Sequence, residues 1–279
     1  MTDPAESGPG GDDSGTITWR ALWVQVTEAV GDANEARWIC REAGGLDALE
    51  WVQSLDDRVG ARSVARVDAM TARPRTGEPL AHVLIPRPET ELLAGAAIDA
   101  AAKVGPERVV VDLGTGSGAI ALSLAAELPI DGTVVWGVDA SSDALDVARA
   151  NAAGLGRSAA NVRLALGHWF SALPAELRGR VDVVVSNPPY IAEGDPEVAP
   201  DVLEWEPAEA LFSGVDGLDA IRAIAAEAGE WLRPGGVLLL EIGHRQGDAV
   251  RSLLTAAGYT DVEIRSDLAD RDRIAYARR

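Results

Sequence analysis

Four consecutive residues, Asn187-Pro188-Pro189-Tyr190, follow the apolar run Val181 to Val185 and together suit one kind of chemistry. The prolines carry no N–H and stiffen the backbone, so the Pro188 carbonyl is a fixed acceptor with no donor beside it. Asn187 adds a side-chain carbonyl and Tyr190 a flat face. The set describes a receptor for a planar group bearing an NH2. The nitrogen of an amide or aromatic amine is a poor nucleophile, because its lone pair is delocalised. Two acceptors on its N–H bonds turn that lone pair outward and stabilise the positive charge that develops on attack. Held near a sulfonium methyl, it reacts by in-line displacement, with orientation supplying much of the acceleration. Asn187, Pro188 and Tyr190 are thus the candidate catalytic residues, and Pro189 completes the substrate-binding set. The plainer alternative is a rigid loop that ends a strand, although Pro-Pro directly after a core strand is an awkward choice for that alone.

A second constellation, Gly114-Thr115-Gly116-Ser117-Gly118, lies between the apolar run Val109 to Leu113 and an amphipathic stretch carrying Ile120, Leu122, Leu124 and Leu128. Glycines there let the chain turn tightly and let a ligand approach the backbone, while a helix N-terminus offers free N–H groups. These five residues are candidate cofactor contacts. The next apolar run ends in Val138-Asp139, and an acid at that place accepts both hydroxyls of an adenosine ribose. Ser141 or Ser142 caps the helix that follows. Spacing alone leaves a nicotinamide enzyme open, since Gly114, Gly116 and Ala119 also satisfy the loose dinucleotide fingerprint.

The elements that must position these groups are legible in outline. Residues 1–16 are rich in Gly, Pro, Ser and Asp and predict a disordered tail. From Trp19 to about Arg73 the apolar spacing is helical, broken at Gly31 and Gly44-Gly45, which predicts a small helical domain over 17–75 whose tryptophans are core. Residues 76–90 are punctuated like a linker. Glu89-Thr90-Glu91 opens an Ala-rich helix reaching about Val104, with acids in the first turn. Strand and helix patterns then alternate to the end of a second domain over 91–279, as in a mostly parallel sheet with helices on both faces. The strand runs are Val109 to Leu113, Val134 to Val138, Val162 to Leu166, Val181 to Val185 and Val237 to Ile242, with weaker ones near Val262 to Arg265 and Ile274 to Ala277.

Composition narrows the partners. Lys and Arg number 25 against 44 Asp and Glu, a net charge of -19, so the surface is not built to neutralise phosphates. The one cysteine, Cys40, excludes an intramolecular disulfide and a multi-thiolate metal site and fits a reducing cytoplasm. His82, His168 and His244 have no paired spacing, so no metal is expected. No apolar run approaches bilayer length and the polar N-terminus does not read as a signal peptide.

Several blocks together resemble a known family, the bacterial HemK/PrmC release-factor glutamine methyltransferases of the class I S-adenosylmethionine-dependent fold. They are Ile85-Pro86-Arg87-Pro88-Glu89-Thr90-Glu91, Asp112 to Gly118, Val138-Asp139-Ala140-Ser141, Asn187-Pro188-Pro189-Tyr190-Ile191, Glu206-Pro207 with Ala210-Leu211, and Gly214 to Gly217. Pro234-Gly235-Gly236, Glu241-Ile242-Gly243 with Gln246, and Asp267-Leu268-Ala269 with Arg273 continue the likeness to the end of the chain. The resemblance implies methyl transfer from S-adenosyl-L-methionine to the side-chain amide nitrogen of the glutamine in the Gly-Gly-Gln motif of peptide chain release factors. It implies that Gly114 to Gly118 hold the methionine part of the cofactor, Asp139 its ribose, and that Trp169 flanks adenine. Asn187 would border the cofactor and, with Pro188, hold the glutamine amide while Tyr190 packs on it. The N-terminal helices would recognise the release factor.

The chain departs from the family in two places. Gly77-Glu78-Pro79-Leu80-Ala81-His82 runs almost straight into Val83-Leu84-Ile85-Pro86, where family members carry a hairpin, and His168 stands where an acid is common. Either a neutral imidazole accepts the adenine amine there, or His168 is a packed loop residue. Other readings of the tetrapeptide are a glutamine of a ribosomal protein, an exocyclic amine of adenine or guanine in RNA or DNA, and a cofactor-binding remnant without turnover. The acidity counts against nucleic acid except indirectly, through the ribosome.

Overall fold

The computed structural model describes residues 17–30, 33–44, 46, 48–59, 64, 88–195, 208–267 and 269–279. The tail over 1–16, the linker up to residue 87, and the blocks at Glu206-Pro207 and Leu268 lie outside them. The chain divides into two compact units, residues 1–80 and 81–279.

In the first unit, helices α1 (Trp19–Val30), α2 (Ala33–Gly44) and α3 (Ala48–Ser54) pack around one apolar cluster. Trp19, Leu22 and Val26 come from one face of α1, Ala36, Ile39, Cys40 and Ala43 from one face of α2, and Trp51 from α3. The spacing of three and four residues is what places each set on a single stripe. Trp51 is met edge-on by Trp19 and Trp23, with ring centroids 6.0 and 6.1 Å away. Trp19 and Trp51 are core residues, as their periodicity predicts. Trp23 is half-buried and its indole N–H donates to the Ala33 carbonyl at 2.9 Å.

The second unit holds a seven-stranded sheet in the order β3-β2-β1-β4-β5-β7-β6. The strands are β1 (Arg108–Leu113), β2 (Thr133–Asp139), β3 (Val162–Leu166), β4 (Val181–Ser186), β5 (Leu232–Glu241), β6 (Thr260–Ser266) and β7 (Asp272–Arg278). The first five are parallel, and β7 inserts antiparallel between β5 and β6. Central strands are apolar on both faces because both faces are covered. Val111, Leu113, Val184, Leu238 and Leu240 pack on α7 (Asp219–Trp231) and α8 (Gly247–Ala256). The alternate residues Val110, Val183, Val185 and Leu239 pack on α4 (Pro88–Ala102) and α5 (Ala119–Glu127). Helix α6 (Ser142–Leu155) joins β2 to β3, and Ser141 is its cap, its Oγ accepting the Ala144 N–H at 3.2 Å.

One strand begins earlier than its apolar run suggests. β5 starts at Leu232, paired with Val181, and the next pairing is Val183 with Val237, so Arg233 to Gly236 bulge out of the ladder. Arg233 there engages Asp182, whose other oxygen accepts the Val109 N–H at 2.8 Å. These groups line an open depression of about 760 Å³ at the amino edge of the sheet. Asp182 is already paired there, so this edge reads as a structural joint.

Leu239 is wholly buried on the face covered by α4 and α5. Leu239→Ala is expected to cost about 2–5 kcal/mol, measured as a shift of the urea unfolding midpoint followed by circular dichroism.

Candidate active site

Strand order reverses between β1 and β4: β2 and β3 lie on one side of β1, and β5 lies beyond β4. Loops leaving the carboxyl ends of β1 and β4 therefore diverge and leave a crevice, the usual ligand position in an open parallel sheet. The two ends are in register, Leu113 opposite Ser186, and the buried Ser186 Oγ donates to the Leu113 carbonyl at 2.7 Å. That bond ties the start of the tetrapeptide to the start of the glycine loop.

The loop turns at three glycines with positive φ, Gly114 (66°), Gly116 (55°) and Gly118 (83°), a conformation that side chains resist. Its backbone bonds fix it to β2: the Thr115 N–H donates to the Val138 carbonyl at 3.0 Å and the Gly116 N–H to Asp139 Oδ2 at 2.8 Å. Asp139 Oδ1 accepts the Ser141 N–H at 2.9 Å, so this half-buried carboxylate joins the glycine loop to the start of α6. Thr115 turns its hydroxyl inward to Asp112 Oδ2 at 2.6 Å, and the Ser117 carbonyl accepts Asn151 Nδ2 at 2.9 Å.

Trp169, after β3, adopts φ of +47°, which strains a bulky side chain. The consequence is placement. A side-chain carbon added at Gly114 would stand 3.8 Å from Trp169 Cζ3 and 4.0 Å from the Asn187 carbonyl oxygen. Gly114 is itself exposed, so the loop, the indole and the tetrapeptide border one open space. The His168 N–H donates to Ser171 Oγ at 3.0 Å and its carbonyl accepts the Ser171 N–H at 3.0 Å, which fixes the start of the short helix Trp169–Ala172. Its ring is exposed and meets Trp169 edge-on at 5.0 Å.

In the tetrapeptide Pro188 is buried, and Asn187, Pro189 and Tyr190 are half-buried. Asn187 Nδ2 donates to Thr90 Oγ1 at 3.2 Å, Thr90 Oγ1 donates to Glu241 Oε2 at 3.2 Å, and the Tyr190 hydroxyl donates to Glu241 Oε1 at 3.1 Å. Gln246 secures the far end: its Nε2 donates to the Tyr190 carbonyl at 2.9 Å while its Oε1 accepts the Gly243 N–H at 2.9 Å. Beyond it, Ile191 pairs with Phe212.

Residues 105–251 match the family model described as a methyltransferase domain. A release factor glutamine methyltransferase of Burkholderia pseudomallei is 44% identical over 267 residues, which cover 88% of this chain and 92% of that protein. The chain belongs to the release factor glutamine methyltransferase family. The protein of the same name from Cereibacter sphaeroides is 42% identical, covering 88% of this chain and 91% of its own, and that of Vibrio cholerae is 39% identical, covering 76% and 77%. A crystal structure titled protein-(glutamine-N5) methyltransferase (release factor-specific), from Alicyclobacillus acidocaldarius, aligns with a TM-score of 0.42 at 30% identity, covering 70% of this chain and 94% of that one. The hMettl16 catalytic domain aligns with a TM-score of 0.54 at 15% identity, over 77% of this chain and 81% of that one, and shares the fold.

Members of this family are enzymes that take a methyl group from S-adenosylmethionine, and so does this chain. The residues present fit that cofactor: Gly114 leaves open, between an indole ring and a carbonyl oxygen, a space that a Cβ would enter. Among the described residues no cluster of His, Cys, Asp and Glu is arranged to hold a metal ion, and no helix is long and apolar enough to cross a membrane.

Thr90, Glu241 and Gln246 stand in the blocks of family likeness without a role assigned to them, and Ser186 was not singled out, yet all four support the tetrapeptide. One signal was available, since Glu241 is a carboxylate closing an apolar strand run at the ligand end of the sheet. Asp112 is the other buried acid here. Burial pushes its carboxyl up to about 7, against hydrogen bonds from Thr115 and the Ala121 N–H, and Asp139 adds to the rise. The unfolded chain releases this proton near 3.8. Between those values the folded chain holds a proton that the unfolded chain has lost, so stability falls as pH rises from about 4 to about 7 and levels off above. The slope is at most about 1.4 kcal/mol per pH unit for one group. Asp112→Asn keeps an acceptor for Thr115 and Ala121 and is expected to remove that contribution, read from denaturant midpoints across the window.

Proposed function

We propose that this chain transfers a methyl group from S-adenosylmethionine to the side-chain amide nitrogen of the glutamine in the Gly-Gly-Gln motif of peptide chain release factors. The observation that carries the reading is the convergence of the glycine loop, Trp169 and Asn187 on one space at the switch point. In this reading a planar-amide receptor lies beside a nucleoside site. The activity named for the relatives supports release-factor glutamine over a ribosomal-protein glutamine and over an exocyclic amine of a nucleobase. A net charge of -19 argues against gripping phosphates, so nucleic acid enters only through the ribosome. In this reading the helical domain over 17–75 recognises the release factor, 76–90 links it to the methyltransferase domain over 91–279, and the protein works in the cytoplasm.

Gly114, Thr115, Gly116, Ser117 and Gly118 would hold the methionine part of the cofactor through their backbone, Asp139 its ribose hydroxyls, and Trp169 the adenine face. Bound there, S-adenosylmethionine supplies an electrophilic methyl carbon on a sulfonium sulfur. Asn187 Oδ1 and the Pro188 carbonyl accept the two hydrogens of the glutamine amide, which turns the nitrogen lone pair toward the cofactor side of Asn187. Pro189 holds the turn and Tyr190 packs on the amide plane. Both acceptors are preorganised, so they stabilise the charge that develops on nitrogen without reorganising. The C–N bond would form as the methyl–sulfur bond breaks and leaves a neutral thioether, and the proton released from nitrogen would pass to water, since a carbonyl oxygen is too weak a base to keep it.

With labelled S-adenosylmethionine, a release factor bearing Gly-Gly-Gln should gain label and one bearing Gly-Gly-Ala should not; equal labelling of both overturns the reading. Asn187→Ala is expected to lower kcat roughly 100- to 1,000-fold, the scale for removing one preorganised donor or acceptor, with little change in cofactor affinity. Asp139→Ala should instead weaken cofactor binding, by about tenfold or more for loss of charge-assisted hydrogen bonds, read by titration calorimetry.

A further inference from the structure

The geometry points to Thr90 and Glu241 as positioning residues that set which end of the Asn187 amide faces the substrate, through the chain Asn187–Thr90–Glu241. The inference rests on the role proposed for Asn187 and adds the device that orients it. An asparagine amide has a donor end and an acceptor end of nearly the same shape. Turned the wrong way, Asn187 would present N–H groups to a substrate NH2, and the two donors would repel. Something must therefore fix the orientation.

The polarity is set from the buried end. Glu241 is 1% exposed and closes β5, and both of its oxygens act as acceptors. Its two oxygens accept from Thr90 Oγ1 at 3.2 Å and from the Tyr190 hydroxyl at 3.1 Å. Thr90 has one hydroxyl hydrogen, and Glu241 takes it. What Thr90 offers Asn187 is then a lone pair, so Asn187 must meet it with Nδ2, at 3.2 Å. With Nδ2 held by Thr90, Oδ1 is the end left for an incoming amide. The same carboxylate holds Tyr190, so one buried acid sets both side chains that flank the substrate plane.

The supports of this acid are themselves fixed. Thr90 is 7% exposed in the first turn of α4, whose Leu93 and Ala97 are wholly buried. Next to Glu241, the Ile242 carbonyl accepts from buried Arg273, which also reaches Asp267 Oδ2 at 3.4 Å. Neither Thr90 nor Glu241 is asked to touch a reacting atom. Their effect passes through Asn187 and Tyr190.

The test is a set of variants of the full chain, assayed by single turnover on a release factor. Thr90→Val has nearly the shape of threonine without the hydroxyl and should lower the methyl-transfer rate roughly 10- to 100-fold, the scale for losing one or two oriented hydrogen bonds, while the Kd for S-adenosylmethionine stays near wild type. Thr90→Ser keeps the hydroxyl and should recover most of the lost rate. Glu241→Gln can give Thr90 an N–H and reverse the polarity, so it should be slow although its shape is preserved. Thr90→Val added to Asn187→Ala should cost nothing further, because the interaction it removes is already gone. A normal rate in Thr90→Val, or a full additive loss on top of Asn187→Ala, overturns the inference. A second readout needs no substrate: hydrogen exchange of the Asn187 side-chain amide, followed by NMR, should accelerate in Thr90→Val, and unchanged exchange overturns the inference as well. If wild type fails to label any release factor while exchange responds as expected, the proposed substrate falls and the positioning chain stands.

Discussion

A carboxylate almost without solvent contact, Glu241, stands at the carboxyl end of a central strand, and the crevice is arranged around satisfying it. Burying such a group is costly unless each oxygen finds hydrogen-bond donors. Two of its donors come from different directions, Thr90 at the start of α4 and Tyr190 in the loop after β4. Satisfying the acid thus brings the helix that precedes the sheet and the loop that leaves its fourth strand to one point. A site that must orient an uncharged amide gains from this, since an acceptor-only anchor removes the ambiguity of hydroxyl and amide partners further out.

The rest of the second unit holds that point still. The sheet is covered on both faces, and alternate residues of β1, β4 and β5 feed two separate clusters, so their ends are stiff platforms. Ser186 locks β4 to β1, and Asp139 locks the glycine loop to β2 and to α6. Gln246 spans the Tyr190 carbonyl and the Gly243 N–H. Each bond joins elements distant in sequence at the carboxyl edge. The same logic explains why Thr115 spends its hydroxyl on Asp112: the loop contributes its backbone outward and is braced from beneath.

Much of this was legible from residue order, and the parts that were not share a cause. The five parallel strands are apolar runs buried on both faces, and the glycine loop and tetrapeptide are local strings whose backbone demands show in their residue types. The weak C-terminal pair emerged as β6 and β7, each extended by a residue or more beyond its apolar part. The start of β5 was hidden because Arg233-Pro234-Gly235-Gly236 interrupts the apolar run, whereas the chain bulges there between the pairings at Leu232 and Val237. Thr90 and Glu241 are 151 residues apart, and Thr90 and Asn187 are 97 apart. No periodicity or spacing rule reaches such distances; they are set by how α4 lies on the sheet. Residue order leaves His168 open between two roles, because neither its exposure nor its backbone bond to Ser171 Oγ is written in local spacing.

Strain marks the same place. Trp169 takes a left-handed backbone that costs on the order of 1–3 kcal/mol for a residue of its kind. The short helix it opens is pinned on either side, by the His168 backbone bonds to Ser171 and by Phe170, which is buried and stacked on Trp231 with centroids 5.7 Å apart. Packing therefore holds the distortion, and the distortion brings the indole against the open space at Gly114. The hydrophobic core thus has a direct part in the site: a stacked pair inside the molecule keeps an uncomfortable backbone in place, and that backbone forms one wall of the space where the glycine loop and the tetrapeptide meet.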